Sequence, residues 1–247
     1  MKKIVCLALM IFMVSLSSAF AKNFEILTGE WAPYVSKSMK DGGPTAIIVS
    51  QVLKAVGHTA SFKYVPWKRT EVLTQQGKAV ATFPWSATDE FKKKCYLSTP
   101  IATQKMVFFY IKDKLGDWDY TGLDQLKKLK VGGSEGYSYV GIFKSGGVKA
   151  EYGPNTESSL KKLVHGRIDV VPESQLVGWQ VIKSKLASSK SKFATSKTPL
   201  FTKALHLMVS KAHPDGKELI DAYEKGFKII KANGIYKKIL EEYGLSE

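Results

Sequence analysis

From Asn23 onward, short β-like segments take turns with amphipathic helix-like ones, and that alternation restricts the chain to a sheet covered by helices on both faces. Asn23–Thr28 reads as a strand. Residues 44–56 place Ile48, Val52, Leu53 and Val56 on one helical face, and Gly57 stops that helix. Ala60, Phe62 and Tyr64 alternate as in a half-buried strand. Pro66 suits a first helical turn, and its helix should run to about Gln76, before Gly77. Residues 79–83 form a short strand and residues 105–111 a longer apolar one. Residues 130–132 are β-like and lead into a glycine-rich turn, 133–139, that enters a helix. Asn155 caps a helix through Val164, which Gly166 ends. A strand over 168–171, a helix over 175–184 and a strand over 204–209 follow. Helices over 215–231 and 234–243 close the pattern. Residues 183–198 are rich in serine and lysine and read as a surface loop. The expected result is a parallel α/β sheet.

The residues ahead of this pattern have a different character. Lys2 and Lys3 precede an apolar run from Ile4 to Val14, and Ala19-Phe20-Ala21 is a small-x-small cleavage site. That is the layout of a secretory signal peptide over residues 1–21, with the mature chain starting at Lys22 in the periplasm. The run is too short for a membrane span. Cys6 falls inside it, so Cys95 is the only cysteine left to the mature chain and no internal disulfide is expected.

The formal charge is +15, and Lys2 and Lys3 account for two of those units. Much of the excess is lysine spread over helix faces, such as Lys127, Lys128, Lys161, Lys162, Lys237 and Lys238. Spread lysine gives a solvated surface, which leaves an anionic ligand open and argues against nucleic acid in an exported chain. The four histidines have no metal-ligand spacing, and no phosphate-loop or dinucleotide fingerprint occurs. No metal, cofactor or catalytic residue is therefore assigned.

Several short motifs occur in a fixed order. Gly29-Glu30-Trp31-Ala32-Pro33-Tyr34 comes first, then Pro66-Trp67 and Gly77-Lys78. Thr88-Asp89-Glu90 and Leu97-Ser98-Thr99-Pro100 follow. Further on stand Lys130-Val131-Gly132, Gly136-Tyr137-Ser138 and Gly166-Arg167-Ile168-Asp169, and finally Lys231-Ala232-Asn233-Gly234-Ile235-Tyr236 with Tyr243-Gly244. In this order they resemble the type II periplasmic solute-binding proteins, in particular the family that includes the polar amino-acid receptors of ABC importers. The resemblance implies two α/β lobes that close on a ligand about a hinge of two crossing strands. Residues 22–104 plus 204–247 would form one lobe, and 105–203 the other with the hinge strands. It further implies a monomer that delivers a small ligand to a membrane permease, or reports it to a membrane sensor.

Ligands in open α/β sheets sit beyond the carboxyl ends of strands. This selects Trp31 and Tyr34, Trp67, and Trp85 with Ser86 as an aromatic wall. Arg69 is a candidate clamp for a carboxylate or phosphate. Gly136, Tyr137 and Ser138 open a helix, where free N–H groups favour an anion, and in the resembled family this turn holds a ligand carboxylate. Glu173 matches a position where that family often pairs an acid with a ligand amine. Two departures stand against a standard α-amino acid. Phe91 occupies the position of the receptors' carboxylate-gripping arginine, and Gly43-Pro44-Thr45-Ala46 replaces an acid-containing motif. The alternatives to a transport receptor are a dehydratase-like enzyme of the same fold, with Glu173 as its acid or base, and a ligand-sensing module without transport.

Overall fold

A computed structural model describes residues 21–135 and 137–245. The leader predicted over residues 1–21 lies outside them except for Ala21, and Gly136 lies outside them too. No helix among the described residues is long and apolar enough to cross a membrane.

Ten strands join in one sheet. They are β1 (Asn23–Thr28), β2 (Thr59–Tyr64), β3 (Ala81–Ser86), β4 (Cys95–Leu97), β5 (Ala102–Ile111), β6 (Val131–Ser134), β7 (Ala150–Gly153), β8 (Val170–Ser174), β9 (Phe193–Thr195) and β10 (Phe201–Ser210). The order is β2-β1-β3-β10-β5-β8-β6-β7, with β4 beside β10 and β9 beside β5. The outer strands of each half run parallel: β1 to β2 and β3, and β6 to β7 and β8. The two central strands do not. β10 is antiparallel to β3, β4 and β5, and β5 is antiparallel to β8 and β9, so the sheet is mixed, not parallel. Ten-residue strands with little alternation hide this switch of direction from a pattern reading.

Each long central strand serves both halves. Residues 102–106 of β5 pair with 201–205 of β10, and residues 106–110 of β5 go on to β8. Beyond that shared ribbon β10 continues to β3 and β4. β5 and β10 contain the strands read over 105–111 and 204–209, and they are the two crossing strands that the resemblance implies.

The helices follow the apolar spacing. They include α1 (Pro44–Lys54), α2 (Trp67–Gln75), α3 (Asp89–Lys94), α4 (Lys112–Leu115), α5 (Leu123–Leu126), α6 (Tyr139–Ser145), α7 (Thr156–Val164), α8 (Gln175–Lys185), α9 (Gly216–Ala232) and α10 (Ile235–Tyr243). On α9, Leu219, Ile220, Tyr223, Phe227 and Ile230 recur at helical spacing and are buried. They share one core with Phe24, Ile26, Val49 and Val52, so segments far apart in the sequence build that core together. A Cβ on Gly226 would collide with the Val52 carbonyl oxygen, so α9 meets α1 backbone to backbone. Around β5 and β8 there is a core on each sheet face. One holds Phe108, Tyr139, Phe143 and Val170, the other Phe109, Leu160, Leu163 and Val171. Alternate residues of β5 and β8 supply the two faces.

Three local expectations need correction. β3 begins and ends later than 79–83, so Trp85 and Ser86 lie within its carboxyl end and pair with β10. β8 extends to Ser174, so Glu173 is a strand residue opposite Val107. Residues 183–198 are not all loop: after α8 the chain makes a 3₁₀ segment over 187–192, and then β9, anchored by the buried Phe193.

Candidate functional site

Among the expected site residues that are described, Trp31, Tyr34, Trp67, Trp85, Ser86, Tyr137 and Glu173 lie at or just after the carboxyl ends of β1, β2, β3, β6 and β8, whereas Arg69 does not. Trp31 stacks on Tyr34, ring centroids 4.3 Å apart and planes 20° apart. A tight turn positions them, with the amide of Trp31 donating to the carbonyl of Val35 and that of Tyr34 to the carbonyl of Trp31. Trp67 opens α2, and its indole N–H donates to the Glu30 carbonyl at 3.2 Å. It lies flat over Gly29, where an added Cβ would run into the indole ring, so only glycine admits it. The Trp85 indole meets that of Trp67 edge-on at 5.3 Å and donates to Thr82 Oγ1. Ser86 accepts a hydrogen bond from Gln104 Nε2 at 2.8 Å, which ties the end of β3 to the crossing strand β5.

Phe91, in α3, is buried with Cys95 and Met208, and Trp85 and Leu97 pack on this group. The Thr88 hydroxyl caps α3 by accepting from the Phe91 amide. The space behind Trp85 is therefore apolar. Burial pushes the Cys95 thiol up to about 11, against the opposing pull of Lys211 and Lys94, so it is not a nucleophile at neutral pH.

Glu173 forms the second focus of the site. It is fully buried, and its Oε2 accepts from the Thr156 hydroxyl at 2.5 Å while its Oε1 accepts from the Ser174 amide at 2.7 Å. Tyr137 adds a side-chain hydrogen bond. Burial nevertheless dominates and raises the carboxyl to about 7. The Tyr137 hydroxyl also lies 3.4 Å from Thr156 Oγ1 and hydrogen-bonds with Trp31. Tyr34 reaches Ser174, next to Glu173, and burial moves its phenol up to about 12. Trp31 and Tyr34, on the loop after β1, thus meet Tyr137, Glu173 and Ser174 at the ends of β6 and β8.

Arg69 does not join them. Two residues past Trp67 is about 200° around a helix, so a side chain there leaves on the other side. Arg69 instead lines a surface groove of about 310 Å³ with Asn23, Glu25, Lys78, His213 and Asp215. Ser138 is exposed, and α6 begins only at Tyr139.

Thr156 was not singled out in the sequence, although it occupies the first turn of the helix that Asn155 caps. A helix that starts at the carboxyl edge of a sheet carries its first residues to the site, and that was the available signal. Asp169 plays a structural part, accepting from the Lys130 amide and pairing with Lys114 at 2.5 Å. Among the described residues no group of three or more His, Cys, Asp or Glu side chains could hold a metal.

No family model matches the sequence, and no curated protein does either. Solved structures do match. A histidine kinase sensor domain with similarity to periplasmic binding proteins superposes with a TM-score of 0.73 at 16% identity, covering 91% of this chain and 97% of that one. The amino acid ABC transporter substrate-binding protein of Streptococcus pneumoniae, bound to L-arginine, gives 0.70 at 21% identity, covering 90% and 94%. An ancestral amino acid-binding protein, a precursor of cyclohexadienyl dehydratase, gives 0.70 at 20% identity, also over 90% and 94%. With its shared central ribbon and its two sets of cores, the chain has the two-lobed α/β fold of the type II periplasmic binding proteins.

Proposed function

We propose that this chain is a periplasmic substrate-binding protein that captures a small polar organic solute between its lobes and delivers it to an ABC importer. Residues 22–104 with 204–247 form one lobe in this reading, and 105–203 the other. The observation that supports it best is the meeting of Trp31 and Tyr34 with Tyr137 and Glu173, side chains from opposite sides of the crossing strands. Aromatic walls with a few convergent polar groups are the usual makeup of a small-molecule site. Export is supported by the leader-like first residues. Mass spectrometry of the solute that co-purifies with the protein tests the reading, with a thermal-shift titration of that solute as the check. A protein that carries and binds no small molecule in either assay would refute it.

Two observations favour other readings. A carboxyl raised to about 7 is poised to give or take a proton at neutral pH, as a dehydratase-like enzyme requires. Turnover that vanishes in Glu173→Gln would establish that activity. The sensor-domain neighbour supports a ligand-sensing role at the membrane. Deletion of the gene separates this from transport, because an importer mutant loses uptake of the solute and a sensor mutant loses only the response to it.

A further inference from the structure

From Ser174 to Pro214 the sequence holds seven lysines and no aspartate or glutamate. The structure gathers four of those lysines at the end of one helix and just beyond it. Lys183 and Lys185 end α8, and Lys190 and Lys192 lie in the 3₁₀ segment that follows. β9 then pairs antiparallel with the end of β5, Phe193 opposite Ile111. The next residue on each chain is a lysine, so Lys192 and Lys112, which opens α4, are neighbours. All five residues are exposed, and none makes an ion pair with a described residue. The acids on the adjoining helices are Asp113 of α4 and Glu157 of α7. Glu157 is already held by Lys161 at 2.6 Å, and Lys185 adds only to the field around it.

This end of the sheet is remote from the candidate site. β8 runs antiparallel to β5, with Ser174 opposite Met106 and Val170 opposite Tyr110, so the end of β5 lies by the start of β8. α8 leaves the sheet at Gln175, beside the site, and its 11 residues carry the chain about 16 Å before it ends at Lys185. The lysines are therefore not placed to meet a solute held near Glu173.

Clustered like charges repel, and a surface of negative charge relieves them. The chemistry favours lipid over protein as that surface. Protein interfaces are depleted in lysine and rest on aromatic and arginine anchors. Between Ser174 and Pro214 there is no arginine, and serines stand between the lysines. The large apolar residues exposed among those described, Val72, Ile229 and Ile235, belong to other parts of the chain. Ammonium groups on flexible stems need no fixed partner geometry, which suits the diffuse charge of phospholipid headgroups.

We propose that this lysine-bearing end docks on an anionic phospholipid bilayer, held by charge and without insertion. The inference goes beyond the solute-binding reading and does not rest on it.

Cosedimentation with large vesicles tests it, using the chain from Lys22 onward, which contains every described element. Vesicles of phosphatidylcholine with about one-third phosphatidylglycerol should bind the protein at least tenfold more tightly than phosphatidylcholine alone at low salt. The difference should vanish at about 1 M salt, where the screening length is ~3 Å. Joint replacement of Lys183, Lys185, Lys190 and Lys192 by Gln should weaken binding at least tenfold. Replacing Lys128, Lys225, Lys228 and Lys238 by Gln removes the same charge from exposed positions elsewhere and should change binding less than threefold. If the fourfold variant melts early, Lys190→Glu with Lys192→Glu, confined to the 3₁₀ segment, takes its place with the same expectation. Equal binding to both kinds of vesicle overturns the proposal, as does binding that survives high salt. So does a control variant that loses as much as the patch variant, since net charge and not this surface would then be responsible. Each of these outcomes leaves solute capture to be decided by its own assays.

Discussion

The hydroxyl of Tyr34 stands 3.2 Å from Oγ of Ser174, although 140 positions separate them in the chain. One residue is on the loop after β1 and the other ends β8, so this bond ties that loop to a strand on the far side of β5 and β10, and both residues are buried. Tyr34→Phe keeps the ring stacked on Trp31 and removes only the hydroxyl. The variant should be less stable by about 1 kcal/mol, because the Ser174 hydroxyl loses a partner. Urea denaturation checks this, and an unchanged midpoint would mean the bond contributes nothing.

Glu173 sets a pH dependence of stability. Its carboxyl titrates near 7 in the folded chain, above its ordinary value of 4.5. Between those values the folded state holds a proton that the unfolded state has released, so stability is highest below 4.5 and falls as pH rises toward 7. The loss amounts to roughly 3 kcal/mol before it levels off. Tyr34, Tyr137 and Tyr139 face the same carboxyl, but burial raises all three phenols and keeps them neutral throughout this range. Glu173→Gln should flatten this part of the stability profile. A variant whose denaturation midpoints follow the parent's between pH 4.5 and 7 would assign the slope to another group.

Phe91→Arg probes the apolar plug. The residue is 2% exposed and packs on Cys95 and Met208. A guanidinium there would be buried without a carboxylate, at a cost of roughly 3–5 kcal/mol. A thermal melt should show the loss directly. A variant as stable as the parent would mean that the arginine finds its own way to solvent or to an acid.

Gly226→Ala tests the contact between α9 and α1. The new Cβ would collide with a backbone oxygen of Val52, which cannot yield as a side chain does. The helices must separate, and a loss of roughly 1–3 kcal/mol is expected even though alanine is the better helix former. Equal or higher stability by urea denaturation would show that the pair is loosely seated.

Trp85→Ala should weaken capture of the co-purified solute about tenfold, or about 1.4 kcal/mol. In the proposed site the indole forms part of the wall, and it meets Trp67 edge-on. Titration by intrinsic fluorescence of the remaining tryptophans measures this. Undiminished affinity would place the solute elsewhere.

Much of the element order was legible because it rests on local signals. Asn155 caps α7 as its side chain suggests, accepting from the Ser158 amide, and Gly57 and Gly166 end their helices with positive φ. The position of Glu173 next to the Tyr137 turn depended on a resemblance, since composition does not order strands across a sheet. The reversal of β5 and β10 was not legible, because strand direction is set by partners far along the chain. Nor was the departure of Arg69, which follows from the rotation of α2 and not from the proximity of Arg69 to Trp67 in sequence. Thr156 escaped notice for a related reason: a small hydroxyl residue gains significance only from what stands beside it.

The core that holds Phe24 and Ile26 is completed from far along the sequence, by β10 and by α9 and α10 with Tyr223, Phe227, Tyr236 and Leu240. A polypeptide made from its amino end therefore cannot seal that core early. The strand at residues 23–28 must wait, with apolar surface uncovered, until residues 201–243 have been made.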